Sequence, residues 1–468
     1  MYHRCIIVFG LLSCAVISSQ GQDEAAIPVN PEIIPVKGLL MNGFIRGGIY
    51  TGIDKENSDN LYVSSAFSDL GLKFGIENGI NYKALADLRF RYGSEFRTPV
   101  SGFCIREGYI KAYGKKWDWS AGQQIIKWGR ADFTNSTSKL NPVNYVSRSP
   151  DREDMDLGNL LSSVNWYPSG AVGLGAVVVP LYRPSVLLID PIPLPDNVTL
   201  NQVTSIVSDK NMLSYGLKAD FHVRGIDWSL SWFDGYDPMQ GIALTSFNLD
   251  TSGPVPVPLT VLATQPYKIR MAGLDFEFAA GEAGIRGEAS WSAPYLSQAD
   301  YEYVPFPELR WVTGIDWSTG IWRFTAEYSG KRILDYTPSE ADPVFGSAPD
   351  FAKLAELFLD PGFDPEEYVR SQVAAFNRLY NYQLEKFYHS AGVKIDADLL
   401  YGKITPSVFT MYNFTSCDLL VIPEVRFKHA DGLTITAGAE FYSGMKGSLF
   451  EIVDGFMNSV YVSLRVDF

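Results

Sequence analysis

The chain is short of several residue types, and each shortage removes a class of protein. Only four of its 468 residues are Cys and four are His. Cys5 and Cys14 fall in the amino-terminal leader, which leaves Cys104 and Cys417. Two cysteines are too few for a disulfide scaffold and lack metal-ligand spacing; whether they bridge each other stays open. His3 goes with the leader, so His222, His389 and His429 remain. No Gly-x-Ser-x-Gly elbow or His-Glu-x-x-His pair accompanies them, so no catalytic constellation and no cofactor is implied. Basic residues are outnumbered, 39 against 53 acidic, for a net charge of −14. That balance argues against a nucleic-acid partner. Beyond the leader no stretch of about twenty residues is apolar throughout, so no membrane-spanning helix is expected.

What the chain does have begins at its amino terminus. Arg4, the apolar run Cys5 to Val16 and the small residues Ser19-Gln20-Gly21 read as a secretory signal, residues 1–21. Residues 22–37 then form a short segment, too short to hold a plug domain. From residue 38 onward the dominant pattern has period two. At the carboxyl end Val460, Val462, Leu464, Val466 and Phe468 alternate with Ser459, Tyr461, Ser463, Arg465 and Asp467. Successive strand side chains face opposite ways, so such a strand is oily on one face and wet on the other.

The pattern recurs in about eighteen segments of the length a tilted membrane strand needs. They centre on Phe44, Leu72, Leu88, Tyr109, Gln123, Val164, Gly175, Leu217, Leu230, Leu274, Ala289, Gly314, Thr325, Val393, Val408, Val425, Ala437 and Val462. Short turns such as Arg224-Gly225 and Ala280-Gly281 alternate with longer connections, of which Lys331 to Phe387 is the longest. Trp117, Trp119, Trp166, Trp228, Trp317 and Trp322 flank the short turns, and Trp232, Trp291 and Trp311 lie near the opposite strand ends. Two indole bands are what membrane interfaces select. A soluble sandwich would gather its tryptophans mid-strand and rarely uses so many strands. A mean hydropathy of −0.02 fits a barrel that is oily only at every second residue.

The expected fold is therefore all-β: one transmembrane antiparallel barrel, residues 38–468, of about eighteen strands with both termini periplasmic. Its wet face supplies the candidate pore lining: Lys73, Asp87, Arg89, Arg91, Lys111, Lys218, Asp220, Asp275, Glu277, Arg286, Glu288, Arg323, Glu327, Lys394, Asp396, Glu440 and Arg465. The long segment after Trp128 is polar and then charged, and carries Trp128, Arg130, Asn141, Arg148, Asp151 and Arg152. Two readings stand for it: a loop folded inward to constrict the lumen, or a surface loop knitted by its own ion pairs. A helical insertion is expected within 350–387. Asp364 caps it, Pro365 opens it, and Val369, Val373, Phe376, Tyr380 and Leu384 recur on one face. Packing on the barrel rim is the favoured role, with a lid as the alternative. Two apolar loops, Val186 to Val198 and Pro254 to Ala263, read either as packing on one another or as an entry surface for a hydrophobic solute.

The stretch Gly122-Gln123 … Trp128-Gly129 … Asn141-Pro142 resembles a widespread family of bacterial outer-membrane barrels, similar in style to alginate-export-type, porin-like barrels. The likeness implies a channel that passes small solutes across a Gram-negative outer membrane. In place of the family's usual acidic residue after Asn-Pro, this chain has Asn144. The resemblance also implies three kinds of partner: outer-membrane lipid, small solutes, and the barrel-assembly machinery, which would grip the terminal strand at Phe468. A transporter of hydrophobic compounds and a surface adhesin on a barrel are the alternatives. The facing assignment makes one sharp prediction. Phe276→Arg on the oily face should cost about 2–4 kcal/mol in unfolding stability if the site lies near the bilayer midplane. Arg at the neighbouring Asp275 is expected mainly to change conductance or ion preference, and equal effects of the two on barrel stability would contradict the assignment.

Overall fold

The computed structural model describes residues 38–53, 61–78, 81–189, 191, 197–209, 211–253, 256–339, 341 and 355–468. The expected signal at 1–21 and the segment 22–37 lie outside the described residues. The first seven strands are β1 (Gly38–Ile53), β2 (Leu61–Asn78), β3 (Tyr82–Glu95), β4 (Thr98–Tyr113), β5 (Trp117–Gln124), β6 (Asn159–Ser169) and β7 (Val172–Val179). The next seven are β8 (Val198–Asn201), β9 (Ser214–Val223), β10 (Ile226–Tyr236), β11 (Gly241–Asp250), β12 (Val257–Gln265), β13 (Lys268–Ala280) and β14 (Ala283–Pro294). The last seven are β15 (Glu308–Thr319), β16 (Trp322–Ile333), β17 (Phe387–Ala397), β18 (Ile404–Asn413), β19 (Asp418–Ala430), β20 (Leu433–Ser443) and β21 (Ser459–Asp467). Two helices, α1 (Pro365–Tyr380) and α2 (Leu449–Met457), lie in connections.

Eighteen of the strands, all but β8, β11 and β12, form one sheet in which sequential members pair antiparallel. The sheet closes because β1 pairs with β21, from Phe44↔Asp467 to Gly52↔Ser459. Each of the eighteen expected strand centres falls in a different one of these strands. Closure leaves no unpaired sheet edge, which is the condition for a strand structure to sit in hydrocarbon.

Cross-strand register separates the two faces. Leu230 stands opposite Leu274, Leu274 opposite Ala289, and Ala289 opposite Trp311. One position along, Ser229 stands opposite Asp275, and Asp275 opposite Glu288. The first row points outward, where Leu217, Leu230, Leu274, Val393, Val408, Val425 and Val462 are exposed. The second points inward, where Ser229, Asp275 and Glu288 are buried. Trp117, Trp166, Trp317 and Trp322 are exposed on the outward side at the short-turn end.

At that end the turns are tight. Arg224 and Gly225 both adopt positive φ, 53° and 80°, a hairpin geometry that matches strand twist and favours Gly. β6 runs through Ser169, so the reversal into β7 falls at Gly170-Ala171. At the long-loop end the connection between β3 and β4 is only two residues, Phe96 and Arg97, at φ 48° and 66°. That strained turn is held by bonds from Phe96 N to Ser65 Oγ and from Arg97 N to Ser64 O, and it buries Phe96.

Among the described residues, β8, β11, β12 and the two helices share one apolar cluster at the long-loop end, a dome on the barrel. β12 pairs antiparallel with β11 and parallel with β8, so parts of the two apolar loops do meet one another. Asp364 caps α1 by accepting from Glu366 N and Glu367 N, and Pro365 occupies its first turn. Val369, Val373, Phe376 and Tyr380 are buried as the periodicity predicts, and Leu384 packs against the same cluster. On α1, Asn377 Oδ1 accepts from Ile242 N at 2.9 Å and Nδ2 donates to Ile242 O at 2.8 Å. One amide thus docks the helix on β11 as a neighbouring strand would. α2 was not expected from sequence; Ser448 caps it, and it buries Leu449, Phe450, Ile452, Val453 and Met457 in the same cluster. Val373→Asp should put a carboxylate into this dry cluster and open the dome. The expected outcome is faster proteolysis near 365–380 with the heat-resistant electrophoretic mobility of the barrel retained, and loss of both together would contradict a separable dome.

Candidate channel constriction

Between β5 and β6, residues 125–158 leave the wall and enter the barrel. A single side chain gathers the two ends of this loop. Asn141 Nδ2 donates to Gln124 O at 2.9 Å and to Leu157 O at 3.1 Å, while its Oδ1 accepts from Ile126 N at 2.7 Å. Trp128 is the apolar anchor, 5% exposed and packed in a cluster with Leu140, Leu161, Val177, Phe233 and Met271. Gly129 follows at φ +89°, and a Cβ there would overlap the Glu288 carboxylate. The Trp-Gly pair thus has a physical reason: an indole sets the loop on the wall, and the missing Cβ lets the backbone reach a wall carboxylate.

The loop tip is then clamped by two inward carboxylates. Glu288 accepts from the backbone N of Arg130, from Ala131 N at 2.6 Å and from Ser136 N at 2.9 Å. Glu327 accepts from Asp132 N at 2.5 Å and Phe133 N at 2.9 Å. Arg130 reaches Asp275 at 2.8 Å and Glu277 at 3.0 Å. Arg286 bridges the Asp132 carboxylate at 2.7 Å and Asp316.

The descending arm meets the opposite wall. Arg148 donates to Ser64 Oγ at 3.0 Å, Glu440 at 3.3 Å and Met457 O at 2.8 Å, with its guanidinium over the Tyr50 and Phe96 rings. Arg152 lies 3.9 Å from Glu440. Asp151 meets three cations, Arg46 at 3.3 Å, Arg426 at 3.1 Å and Arg465 at 3.0 Å. Asp154 lies 2.7 Å from Arg46 and 3.7 Å from Arg89. Of the two sequence readings of this loop, the inward fold is the one observed: its ion pairs run to the wall. Burial opposes ionisation of Asp154, but Arg46 and Arg89 outweigh it and hold the carboxyl down at about 2. Burial pushes the Asp132 and Asp156 carboxyls up, against Arg286 and Lys127 respectively.

Cross-strand register carries all seventeen candidate lining residues onto the inward face. Around the loop tip it gathers Asp275, Glu277, Arg286, Glu288 and Glu327. Around the arm it gathers Arg89, Glu440 and Arg465, and Asp87 and Arg91 join through Arg89 and the shared Asp69. Others stand apart from the loop. Lys73 is exposed, Lys111 pairs with Asp118 at 3.4 Å, Lys218 with Asp220 at 2.9 Å, and Arg323 with Asp396. Lys394, by contrast, favours the ionised form of the loop's Asp132 and lines the short-turn-side cavity together with Asp151 and Asp154.

Cavities lie on both sides of the loop. One, of about 190 Å³, lies on its long-loop side and is bounded by Phe133, Lys139, Tyr267, Phe306 and Arg310 among others. The other, of about 770 Å³, opens on the short-turn side and is bounded by Arg46, Asp151, Asp396, Phe409, Glu440 and Arg465 among others. Phe133 of the first meets Phe409 of the second at 4.8 Å between ring centroids. The histidines lie elsewhere. His222 is 2.8 Å from Asp227 near a short turn, and His389 bonds Tyr328 on the outward side. Cys104 and Cys417 are both free thiols.

No protein-family model matches the chain, and no curated protein matches it in sequence. Solved structures do resemble it. OccAB4 of Acinetobacter baumannii superposes with a TM-score of 0.50 at 8% identity, over 92% of this chain and 98% of that one. The outer membrane protein OpdK of Pseudomonas aeruginosa gives 0.51 at 9% identity, over 92% and 99%. OccK8 (OprE) of the same organism gives 0.50 at 12% identity, over 92% and 97%. The closed eighteen-stranded barrel fold is shared with these structures.

Several residues of the constriction escaped the sequence reading: Arg46, Asp69, Arg106, Asp316 and Arg426. Arg46 is fully buried at the centre of the network, with Asp69 2.6 Å away. Parity would have found it, but the same inward face of β1 carries Phe44 and Tyr50, which disguise a wet face as an oily one. Asp275 needs a correction. It is 0% exposed, accepts from Ser229 Oγ and pairs with Arg130, so arginine there would meet Arg130 inside the constriction. Asp275→Arg should expel the loop tip rather than merely retune ion preference. Arg130→Ala should leave the buried Asp275 carboxylate without its cation, raising open-channel conductance and current noise and lowering the barrel's melting temperature. Asp154 supplies a pH test. Its carboxyl lies below its ordinary value, so its contribution to docking is fully present above about pH 4 and is lost as the pH falls through about 2. Asp154→Asn should therefore show at neutral pH the noisy currents that the native chain's arm develops only near that acid limit. A quiet Asp154→Asn channel would contradict the arm's dependence on Arg46 and Arg89.

Proposed function

We propose that this chain is a solute-selective channel of a bacterial outer membrane. The observation that carries the proposal is the inward loop: residues 125–158 lie between a cavity on the long-loop side and one on the short-turn side while their charges pair with the wall. The exposed rows of Leu, Ile and Val on the outward face match a hydrocarbon slab, and the exposed tryptophans at the short-turn end match an interface. The inward face carries charges of both signs, which suits a hydrated path.

In this reading the long-loop end faces outward from the cell, both termini are periplasmic, and the seventeen wall residues with Trp128, Arg130, Arg148, Asp151 and Arg152 set which solutes pass. Asn141 holds the loop's two ends together. The Gly-x-Gln … Trp-Gly … Asn-Pro signature marks, on this proposal, a family of such barrels in which the same indole and missing Cβ seat a constriction loop. Phe468 ends the strand that closes the barrel, exchanging backbone bonds of 2.9 Å with Gly43, and is the proposed handle for the barrel-assembly machinery. The chain is not read as an enzyme, since His222 and His389 lie apart from the buried carboxylates of the loop site. Reconstituted in planar bilayers, the purified chain should give discrete unitary currents. Barrels that insert stably yet pass no current and no uncharged solute in vesicle swelling would overturn the proposal.

A further inference from the structure

The cavity on the long-loop side differs in chemistry from the one on the short-turn side, and the difference names a ligand. Its charged neighbours are answered in pairs. Lys127 lies 2.7 Å from Asp156, Lys139 lies 2.7 Å from Asp237, and Arg310 lies 2.5 Å from Glu308. Lys331, close by, shares Glu308 at 3.1 Å and donates to Asn381 O at 2.6 Å. An ionic ligand would have to dismantle one of these pairs in a partly dry site, at the expense of leaving the other member unanswered. The rest of the wall is of two kinds. Phe133, Tyr267, Phe306 and Ile269 are buried and apolar in the part that bounds the cavity. Against them stand hydrogen-bonding groups that hold no protein partner among the described residues: the hydroxyls of Thr134 and Ser292, and Oδ1 of Asn381, whose Nδ2 is given to Asn377 O.

We propose that this cavity is a saturable binding site for an uncharged solute with one apolar face and a hydroxylated edge, the chemistry of a pyranose or a small glycoside. The aromatic and aliphatic wall covers the flat face of such a ring. The free hydroxyls and amide oxygen take its hydroxyl hydrogens, and the paired charges reject ions of either sign. The site deepens the channel reading and rests on it for its biological use, as a waiting point above the Phe133–Phe409 contact. The short-turn cavity, bounded by many arginines and carboxylates, offers no comparable apolar wall.

The test uses the full chain in detergent, titrated calorimetrically with phenyl β-glucoside and, separately, with benzoate. The glucoside should bind saturably with an affinity that salt hardly changes, and benzoate should bind at least roughly tenfold more weakly. Thr134→Val with Ser292→Ala, isosteric changes that keep the fold, should weaken glucoside binding roughly tenfold, the loss of two neutral hydrogen bonds. Benzoate binding as tightly as the glucoside, or glucoside binding untouched by the double variant, would overturn the proposal. Currents recorded from the same preparation separate the two readings. Conductance without glucoside binding sinks this site and leaves the channel, whereas saturable binding without conductance leaves the site and sinks the channel.

Discussion

Everything in this molecule follows from one constraint: a strand ribbon in hydrocarbon must leave no backbone donor or acceptor without a partner. The ladder between β1 and β21 meets it by joining the two ends of the sheet. Once the ring is closed, the period of two assigns every wall side chain to lipid or to lumen. A wide ring then raises a second demand. Several charges on its inward face, among them Arg46, Asp275, Glu288 and Glu327, are buried and have to be matched without collapsing the cylinder.

The loop between β5 and β6 meets that demand with its own backbone. Glu288 and Glu327 are answered by peptide N–H groups at the loop tip, so the clamp needs little of the tip's side-chain identity. The arm works the other way: Arg148, Asp151 and Asp154 use side chains, each satisfying several wall groups at once. Buried charged networks of this kind are costly to break piecemeal because each lost member leaves a charge behind. The result is a fixed partition with a small cavity above and a larger one below. Above the small one sits the dome of α1, α2 and the three-stranded sheet, joined to it through a cluster that includes Phe133 and Phe409.

The strands were legible because their signal is local. Eighteen alternating segments could be placed one by one, and the register merely joined them. α1 was legible for the same reason, since Asp364, Pro365 and a one-sided apolar stripe are all close in sequence. α2 was missed because its nine residues are nearly all apolar and sit in a connection where no polar face marks a helix. The Glu288 and Glu327 clamp could be foreseen only by half. The carboxylates announce themselves as inward residues, but their partners are backbone groups some 150 to 195 positions away in sequence, which no side-chain pattern reveals. Arg46 was hidden by its own neighbours, because the inward face of β1 mixes Phe44 and Tyr50 with the charge.

The central claim is that one face of the closed ribbon meets lipid and the other meets a solvated interior. Nitroxide labels placed singly along β21 of the reconstituted chain test it most directly, with oxygen and a nickel chelate as the colliding relaxants. The account predicts that labels at Val460, Val462 and Leu464 collide with oxygen and are shielded from nickel, while a label at Arg465 shows the reverse. Equal nickel accessibility at alternate positions along this strand would contradict it.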